Sequence, residues 1–289
     1  MEGMSSSILE TPEVERLATG FGFTEGPLWH PNGYLLFVDI YNDQLLRWSH
    51  GQATTMIRQD TNQGNGLTFD INGNLIMCEG GNRRLSRTEV DGTMTVLADN
   101  WQNKRLNRPN DVVCRSDGNI YFTDPEGRVP AEDRETNNSG VYKVSVDGNV
   151  SLSTTDCAYP NGLAFSPNEQ ILYVTNTRPD QYIRAFNIAL DGSLTNSRVF
   201  ADLSGTEEGV PDGIKVDIEG RVFCTGPGGT WVFDPEGHML GKIQTPELPA
   251  NFAFGDHDRR SLFITARTSV YKVRVTIPGT ESPGAQHAR

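Results

Sequence analysis

The sequence lacks the features by which several classes of protein are recognised. It has 289 residues but only four cysteines, and its 25 basic against 37 acidic residues give a net charge of −12. This balance argues against nucleic-acid binding, which needs a cationic surface. There is also no basic region followed by an apolar core near the start, and no apolar run long enough to cross a membrane. We therefore expect a cytoplasmic protein that binds neither nucleic acid nor membrane.

Catalytic motifs built on histidine, serine or a phosphate loop are also missing. The five histidines show neither His-x-His nor HExxH spacing, there is no GxSxG elbow, and the glycine-rich residues 226–229 are not followed by Lys-Ser/Thr. The cysteines form no CxxC pair, and three of the four fall in or beside apolar runs. We therefore expect buried, reduced thiols rather than disulfides. The cysteines are Cys78, Cys114, Cys157 and Cys224.

A helical period of 3.6 is not sustained anywhere, and a longer repeat takes its place. A lead residue with a side-chain oxygen, followed by an apolar run, occurs six times, and subtraction between neighbouring lead residues gives intervals of 40, 45, 51, 51 and 39. Eight residues after the lead, four copies have a glycine in a turn-like context, and a second apolar run follows. Such intervals are typical of β-propeller blades. The lead residues are Glu25, Asn65, Asn110, Asn161, Asp212 and Asn251.

The repeat predicts an all-β, six-bladed β-propeller. Because a single blade cannot bury both faces of its sheet, the blades should form one closed domain, over residues 13–276. Residues 1–12 are predicted to be disordered, and residues 277–289 to be a mobile tail. The sixth unit is short of a strand, so we expect residues 14–23 to supply its outer strand and close the ring.

In such a ring, the six lead residues lie at one end of the innermost strands, around the central channel. Their carboxylate and amide oxygens suit a hard divalent cation, Ca²⁺ first, with Mg²⁺, Mn²⁺ or Zn²⁺ possible. A competing interpretation is that each copy is only a turn, because Asn-Gly and Asp-Gly are the commonest turn dipeptides. Six polar residues in register, two of them anionic, favour a cation-binding site over six separate turns. The irregular insertion over residues 125–139 is predicted to be a lid or substrate wall.

Four longer motifs surround four of the lead residues. They are Thr24-Glu25-Gly26-Pro27, Arg108-Pro109-Asn110-Asp111, Tyr159-Pro160-Asn161-Gly162-Leu163 and Val210-Pro211-Asp212-Gly213. They resemble those of the SMP-30/gluconolactonase/luciferin-regenerating-enzyme-like family over about residues 13–275, and the resemblance is strongest to the bacterial gluconolactonases over residues 83–125. It implies a six-bladed propeller with one catalytic divalent metal in the channel mouth. It further implies that Glu25, Asn161 and Asp212 bind the metal, that Asn110 binds the metal or the substrate, and that Asp212 is the catalytic carboxylate.

The predicted substrate-binding residues are Asn110, Arg108, Asn65 and Glu79. Arg108 is included because a relative in this family uses an arginine at this place to contact the sugar. The sequence departs from the gluconolactonase pattern at two places where substrate walls are expected. It has Glu79-Gly80-Gly81 where Glu-His-Gly is usual, and Glu126-Gly127-Arg128 after Thr123-Asp124-Pro125. These departures concern the identity of the lactone rather than lactone hydrolysis itself.

The resemblance implies a metal-dependent hydrolase that opens sugar lactones. A metal-activated water would attack the lactone carbonyl, with Asp212 as general base; a nucleophilic role for Asp212 is the competing mechanism. Two other functions stay open. One is phosphotriester or fluorophosphate hydrolysis on the same metal platform, and the other is a non-enzymatic, Ca²⁺-stabilised binding module. The expected partner is a small-molecule lactone, and the expected assembly a monomer or dimer.

Overall fold

The chain, in a computed structural model, is described over residues 8–288 and is built almost wholly of strands. Within this range none of the helices has the length and apolar character that a membrane crossing needs. Its 3-10 helices are Glu126–Arg128, Ala131–Asp133 and Ala285–His287. The strands are β1 (Glu15–Thr19), β2 (Thr24–His30), β3 (Tyr34–Asp39), β4 (Gln44–Ser49), β5 (Thr55–Gln59), β6 (Gly64–Phe69), β7 (Leu75–Glu79), β8 (Arg84–Thr88), β9 (Met94–Ala98), β10 (Asn100–Trp101), β11 (Lys104–Arg105), β12 (Val112–Cys114), β13 (Ile120–Asp124), β14 (Gly140–Val144), β15 (Val150–Thr154), β16 (Pro160–Phe165), β17 (Ile171–Asn176), β18 (Tyr182–Ile188), β19 (Leu194–Asp202), β20 (Ile214–Val216), β21 (Val222–Gly226), β22 (Gly229–Phe233), β23 (Met239–Ile243), β24 (Pro249–Gly255), β25 (Ser261–Ala266) and β26 (Ser269–Arg274).

The described strands form six four-stranded antiparallel sheets and one small hairpin, β10–β11. Blades 1 to 5 are β2–β5, β6–β9, β12–β15, β16–β19 and β20–β23, each with its strands in chain order. Blade 6 has the order β24, β25, β26 and then β1. The predicted six-bladed propeller is therefore confirmed.

The N-terminal strand closes the ring, as predicted. β1 pairs with β26, with Glu15 opposite Lys272 and Thr19 opposite Ser269. The chain before β1 continues along the same blade, since Thr276 N donates to Ile8 O at 2.9 Å and the Ile8 side chain is 1% exposed. Of the predicted disordered segment, residues 1–7 lie outside the described residues, whereas residue 8 is packed. The outer edge of β26 is thus covered by strand pairing.

The turns between the first and second strands fall where the sequence predicts them. All six residues eight positions after the lead have positive φ, a conformation that glycine adopts without strain. In two blades a residue with a side chain takes the same conformation, which costs about 1 kcal/mol. The turn geometry is therefore kept even where the glycine is not. The φ values are Gly33 +85°, Gly73 +83°, Gly118 +86°, Gly220 +85°, Glu169 +54° and Arg259 +52°.

Neighbouring blades pack through apolar clusters built from the faces of their strands. Between blades 5 and 6, Phe223, Phe252 and Leu262 are fully buried in one cluster, which Ile8 joins. Truncating a buried phenylalanine of this kind to alanine typically costs about 3–5 kcal/mol. All four cysteines are free and buried, which confirms the prediction of buried thiols.

A buried polar side chain ends the second strand in several blades and fixes the segment that leads into the inner strand. Asp39 accepts hydrogen bonds from Gly22 N at 2.8 Å and Phe23 N at 3.1 Å. Asp124 accepts from Asn107 N at 2.8 Å and Arg108 N at 2.6 Å. Because these acceptors hold the backbone just before the lead residue, they determine where its side chain points.

Residues 278–288 run across the end of the channel opposite the lead residues. Gly279 N donates to Arg259 O at 2.9 Å, and Thr280 N donates to Val216 O at 3.0 Å. Further along, Ser282 Oγ lies 3.5 Å from Thr68 Oγ1, on the inner strand of blade 2. The segment borders a cavity of about 580 Å³ in that half of the channel. The mobility predicted for residues 277–289 stays a prediction, as do the domain limits.

Candidate functional site

The lead residues lie in or just before the inner strands, not in turns. In four blades the pairing of the first and second strands shifts register at this point, as between Glu25 and Leu28 or between Pro160 and Leu163. Such a β-bulge rotates a side chain out of the regular alternation, and bulges are common beside active sites. The turn interpretation is therefore wrong for the two Asn-Gly pairs, Asn65-Gly66 and Asn161-Gly162, which lie within β6 and β16.

The glycines that follow the lead residues allow adjacent inner strands to approach closely. A Cβ on Gly26 would lie 2.0 Å from Asn65 O, and one on Gly162 would lie 2.2 Å from Asp212 O. Gly162 N donates to Asp212 O at 3.1 Å, so the two blades are joined by a backbone hydrogen bond. The repeated glycine thus draws the strands together at this level and brings their lead side chains around one axis.

Glu25 is buried beside the lead residue of blade 6. Its Oε2 accepts from Gly26 N at 2.7 Å and from Asn251 Nδ2 at 3.1 Å, and its side chain is 3% exposed. Burial raises the pKa of Glu25 to about 7, and the charge of Asp111 adds to this, against the hydrogen bonds from Gly26 and Asn251 and the charge of Lys215. A nearby cation would stabilise the charged form of a carboxylate whose pKa is raised in this way.

Asp212 is the second carboxylate of the same end. Burial raises its pKa well above the usual range, the charges of Glu25 and Asp111 raise it further, and the charge of Arg128 and a hydrogen bond from Asn161 act the other way. Glu25 and Asp212, 187 residues apart by subtraction, therefore affect each other directly. Glu25 is buried and Asp212 is partly exposed. Repulsion between two such neighbouring carboxylates is a property of sites that bind a cation or share a proton.

Several buried side-chain oxygens at this end make no hydrogen bond within residues 8–288. They include Asn161 Oδ1, Asp111 Oδ2 and Glu79 Oε1. The Asn161 amide is held from its other side, because its Nδ2 donates to Thr177 Oγ1 at 3.0 Å. An oriented, unpaired amide oxygen beside two carboxylates fits a hard cation. In the same described range, no three His, Cys, Asp or Glu side chains group as a metal cluster, so a site here rests on two carboxylates plus amide oxygens.

The remaining predicted site residues divide into two groups. Asn65 and Asn110 are buried, and within the described chain their side-chain amides make no hydrogen bond, so both are available to a ligand. Arg108 is half-buried and donates to Gln63 Oε1 at 2.7 Å. Glu79, by contrast, is fully buried and accepts from Arg84 Nε at 2.9 Å and Asn82 Nδ2 at 2.9 Å. Glu79 thus holds a loop, and its role in substrate binding stays a prediction.

Comparison with known proteins agrees with this geometry. The model of the SMP-30/gluconolactonase/LRE-like region matches residues 23–268. The chain belongs to this family. A gluconolactonase from Zymomonas mobilis is 30% identical over 293 residues, covering 92% of this chain and 82% of the relative. A pentonolactonase from Haloferax volcanii is 29% identical, covering 83% and 80%. The solved structure of a gluconolactonase from Xanthomonas campestris has a TM-score of 0.85 and 33% identity, covering 93% and 91%. The resemblance recognised in the sequence is confirmed.

Two charged residues of this family member were not predicted from its sequence. Asp111 stands where four other copies have glycine after the lead residue, and Lys215 stands where the other five copies have an uncharged residue. Lys215 Nζ lies 3.4 Å from Asn251 Oδ1. Burial raises the pKa of both Glu25 and Asp111, and the charge of Lys215 offsets part of each rise. Both residues differ in type from the residues at the corresponding position of the other copies. This difference could have identified both from the sequence.

Proposed function

We propose that this protein hydrolyses sugar lactones and that it does so with a divalent cation. The observation that carries the proposal is the convergence of buried Glu25, partly buried Asp212 and the unpaired oxygen of Asn161 at one end of the channel. Two relatives of similar length, described above, are named as lactonases. A site of this kind, within a family that includes such enzymes, supports lactone hydrolysis over a purely structural ion site.

The residues that would hold the cation are Glu25, Asn161 and Asp212, with Asn110 binding either the cation or the substrate. Their oxygen atoms suit Ca²⁺ best, and Mg²⁺, Mn²⁺ or Zn²⁺ next. When bound, such a cation polarises a carbonyl and lowers the pKa of a water molecule. The buried surroundings strengthen both electrostatic effects.

Asp212 is the proposed general base. Its carboxylate accepts a proton from the water that attacks the lactone carbonyl, and returns a proton to the ring oxygen when the ester bond breaks. Asp212 N donates to Thr225 Oγ1 at 3.0 Å, so its backbone is fixed while the side chain acts. Asn65 and Arg108 lie at the same end, where they can contact the hydroxyl groups of the sugar.

Removal and return of the metal test this proposal. Purified protein should hydrolyse glucono-1,5-lactone, lose the activity when treated with a chelator, and regain it when Ca²⁺, Mg²⁺ or Mn²⁺ is added. Glu25→Gln should weaken the cation affinity measured by calorimetry by about 10-fold or more, since it removes one of two anionic ligands. If chelation lowers only the melting temperature and no lactone is opened, the protein is a cation-stabilised binding module. Turnover of phosphotriesters in place of lactones would equally overturn the proposal.

A further inference from the structure

A side-chain contact joins blades 2 and 3 at the end of the channel where the lead residues lie. Arg108 Nη2 donates to Gln63 Oε1 at 2.7 Å. Gln63 lies two residues before the lead residue Asn65, and Arg108 lies two residues before the lead residue Asn110. Both therefore belong to segments that lead into an inner strand, at the end where the proposed site is formed.

The Arg108 side chain is held at its base and bounded on one flank. Its backbone N donates to Oδ1 of buried Asp124 at 2.6 Å. Gly80 follows directly after β7, and a Cβ on it would lie 2.9 Å from Arg108 Nε and 3.1 Å from Arg108 Cγ. Both distances are shorter than van der Waals contact, so a side chain at residue 80 and Arg108 in its observed position exclude each other. Residue 80 is also one of the places where this sequence departs from the gluconolactonase pattern.

The loop that carries Gln63 is held from two sides. Asp43 Oδ1 accepts from Gln63 N at 2.6 Å and from Thr61 Oγ1 at 2.7 Å, which ties the loop to blade 1. Gly80 N donates to Gln63 O at 3.2 Å, which ties it to blade 2. Asn62 and Gln63 have φ values of +57° and +55°, in the left-handed region that residues other than glycine rarely adopt. Such conformations persist only where surrounding contacts impose them, and they cluster at functional sites.

We propose that Gly80 and Gln63 are positioning residues that orient the Arg108 guanidinium toward the hydroxyl groups of a sugar lactone. The protein then prefers polyhydroxylated lactones to unsubstituted ones. This inference rests on the proposed function. A guanidinium group donates only in the directions of its planar fork, so its orientation decides which oxygens it can reach. Because Gln63 holds one arm of the fork and Gly80 leaves space beside Nε, less conformational freedom is lost when the substrate binds.

Two lactones with the same ring but different hydroxyl content test the inference. We would measure kcat and KM for glucono-1,5-lactone and for δ-valerolactone, the six-membered lactone without hydroxyl groups. Gly80→Ala should lower the ratio of kcat/KM for the first to that for the second by about 10-fold, because the new methyl group displaces a charged hydrogen-bond donor. The protein should stay folded, since the atoms nearest to the new Cβ belong to a flexible side chain. The loss should appear in KM for glucono-1,5-lactone, with kcat within about twofold.

Substitutions of Gln63 give a second, independent series. Gln63→Met removes the acceptor at similar size and should lower the same ratio by about threefold, less than Gly80→Ala because the contact is exposed. Gln63→Glu keeps an acceptor and should restore the wild-type ratio. In an Arg108→Met background, Gln63→Met should have no further effect, because both act through one guanidinium. Gln102→Met, at an exposed glutamine that also has positive φ, should leave the ratio unchanged.

The outcomes separate the inference from the proposed function. If the wild type opens both lactones equally well, if Gly80→Ala slows both equally, or if Gln63→Met and Arg108→Met are additive, the inference is overturned and the proposed function stands. If neither lactone is opened, the proposed function fails, and calorimetry with gluconate tests the positioning residues alone. Gluconate that binds the wild type about 10-fold more tightly than Gly80→Ala supports the inference. Equal binding, or no binding to the wild type, overturns it.

Discussion

Asp212 and Asp217 flank the short inner strand β20 of blade 5, one at each end of the channel. Asp217 Oδ1 accepts from Glu219 N at 3.0 Å and Arg221 N at 2.9 Å, and its Oδ2 accepts from Arg221 Nε at 2.5 Å. Burial raises the pKa of both aspartates, but Arg221 offsets this for Asp217, while Glu25 adds to it for Asp212. The same strand is thus flanked by Asp217, whose carboxylate is hydrogen-bonded to Arg221, and by Asp212, whose carboxylate is repelled by that of Glu25.

The same contrast holds for the two ends of the channel. The far end has apolar walls that include Leu28, Leu67 and Phe254, and residues 278–288 run across it. The lead-residue end has the unpaired oxygens Asn161 Oδ1 and Asp111 Oδ2, whereas both oxygens of Asp217 at the far end are hydrogen-bonded. Since buried polar groups are normally paired, the unpaired end is where a ligand is expected and the paired end is where stability is gained.

The largest expected effect is the loss of activity in Asp212→Asn. The substitution keeps the size of the side chain but removes the proposed proton acceptor, so kcat/KM for lactone hydrolysis should fall by about 10³-fold. The melting temperature should be unchanged or higher, because one of two repelling carboxylates is gone. Steady-state kinetics and thermal unfolding of the same preparation measure both. Wild-type turnover by this variant would remove Asp212 from the mechanism.

The matched substitution Asp217→Asn should have the opposite result. Removing the charge breaks the buried ion pair between Asp217 and Arg221, so the free energy of unfolding should fall by about 3 kcal/mol. kcat/KM should stay within about threefold of wild type, because Asp217 lies at the far end. Urea unfolding and lactone kinetics check this. A stable but inactive variant would mean that the two ends are coupled, and the contrast drawn above would fail.

The pH dependence of stability should reflect the lead-residue end. In chelator, the free energy of unfolding should fall as pH rises from about 5 to about 7. Over this range folded Glu25, with its pKa raised from 4.5 to about 7, retains a proton that the unfolded chain has lost. One such group contributes up to about 1.4 kcal/mol per pH unit, and Asp124, with its pKa also raised to about 7, acts in the same direction. Urea unfolding at three pH values should show a smaller slope for Glu25→Gln, and an unchanged slope would contradict the assignment.

The smallest effect is expected from removing residues 277–289. The contacts of Gly279 and Thr280 with Arg259 and Val216 would be lost, so the free energy of unfolding should fall by about 1–2 kcal/mol. Gly284→Ala should act in the same direction, because its Cβ would lie 1.5 Å from Asp70 O. Lactone kinetics should change less than twofold. If both stability and hydrogen exchange over this segment resemble those of a free tail, the predicted mobility is correct.

The fold was predictable from the sequence because a propeller repeats its chemistry. The lead residue and the turn eight residues later recur in every blade, and one missing strand in the last blade indicated that residues 14–23 close the ring. Even where Glu169 and Arg259 replace glycine, the turn persists, because strand pairing on both sides imposes it. Repetition thus allowed each copy to support the interpretation of the others.

The site was predictable only where it follows the repeat. Glu25, Asn161 and Asp212 share one row of the blades, so their convergence follows from the fold. Asp111 and Lys215 each occur once, and a residue that breaks a repeat gives no second copy for comparison. Native metal, assembly and cellular location stay predictions.

The pairing of β1 with β26 also has a consequence for synthesis on the ribosome. Thr19 and Ser269 contact each other across 250 residues of chain. At elongation rates of about 5–20 residues per second, the first strand emerges roughly 10–50 s before its partner exists. Throughout that interval the nascent polypeptide is an open arc with two uncovered apolar flanks. If synthesis stalls in the last blade, or the chain is released early, the intermediate exposes apolar surface and is prone to aggregate. The final forty residues are therefore the stretch during whose synthesis chaperone protection matters most.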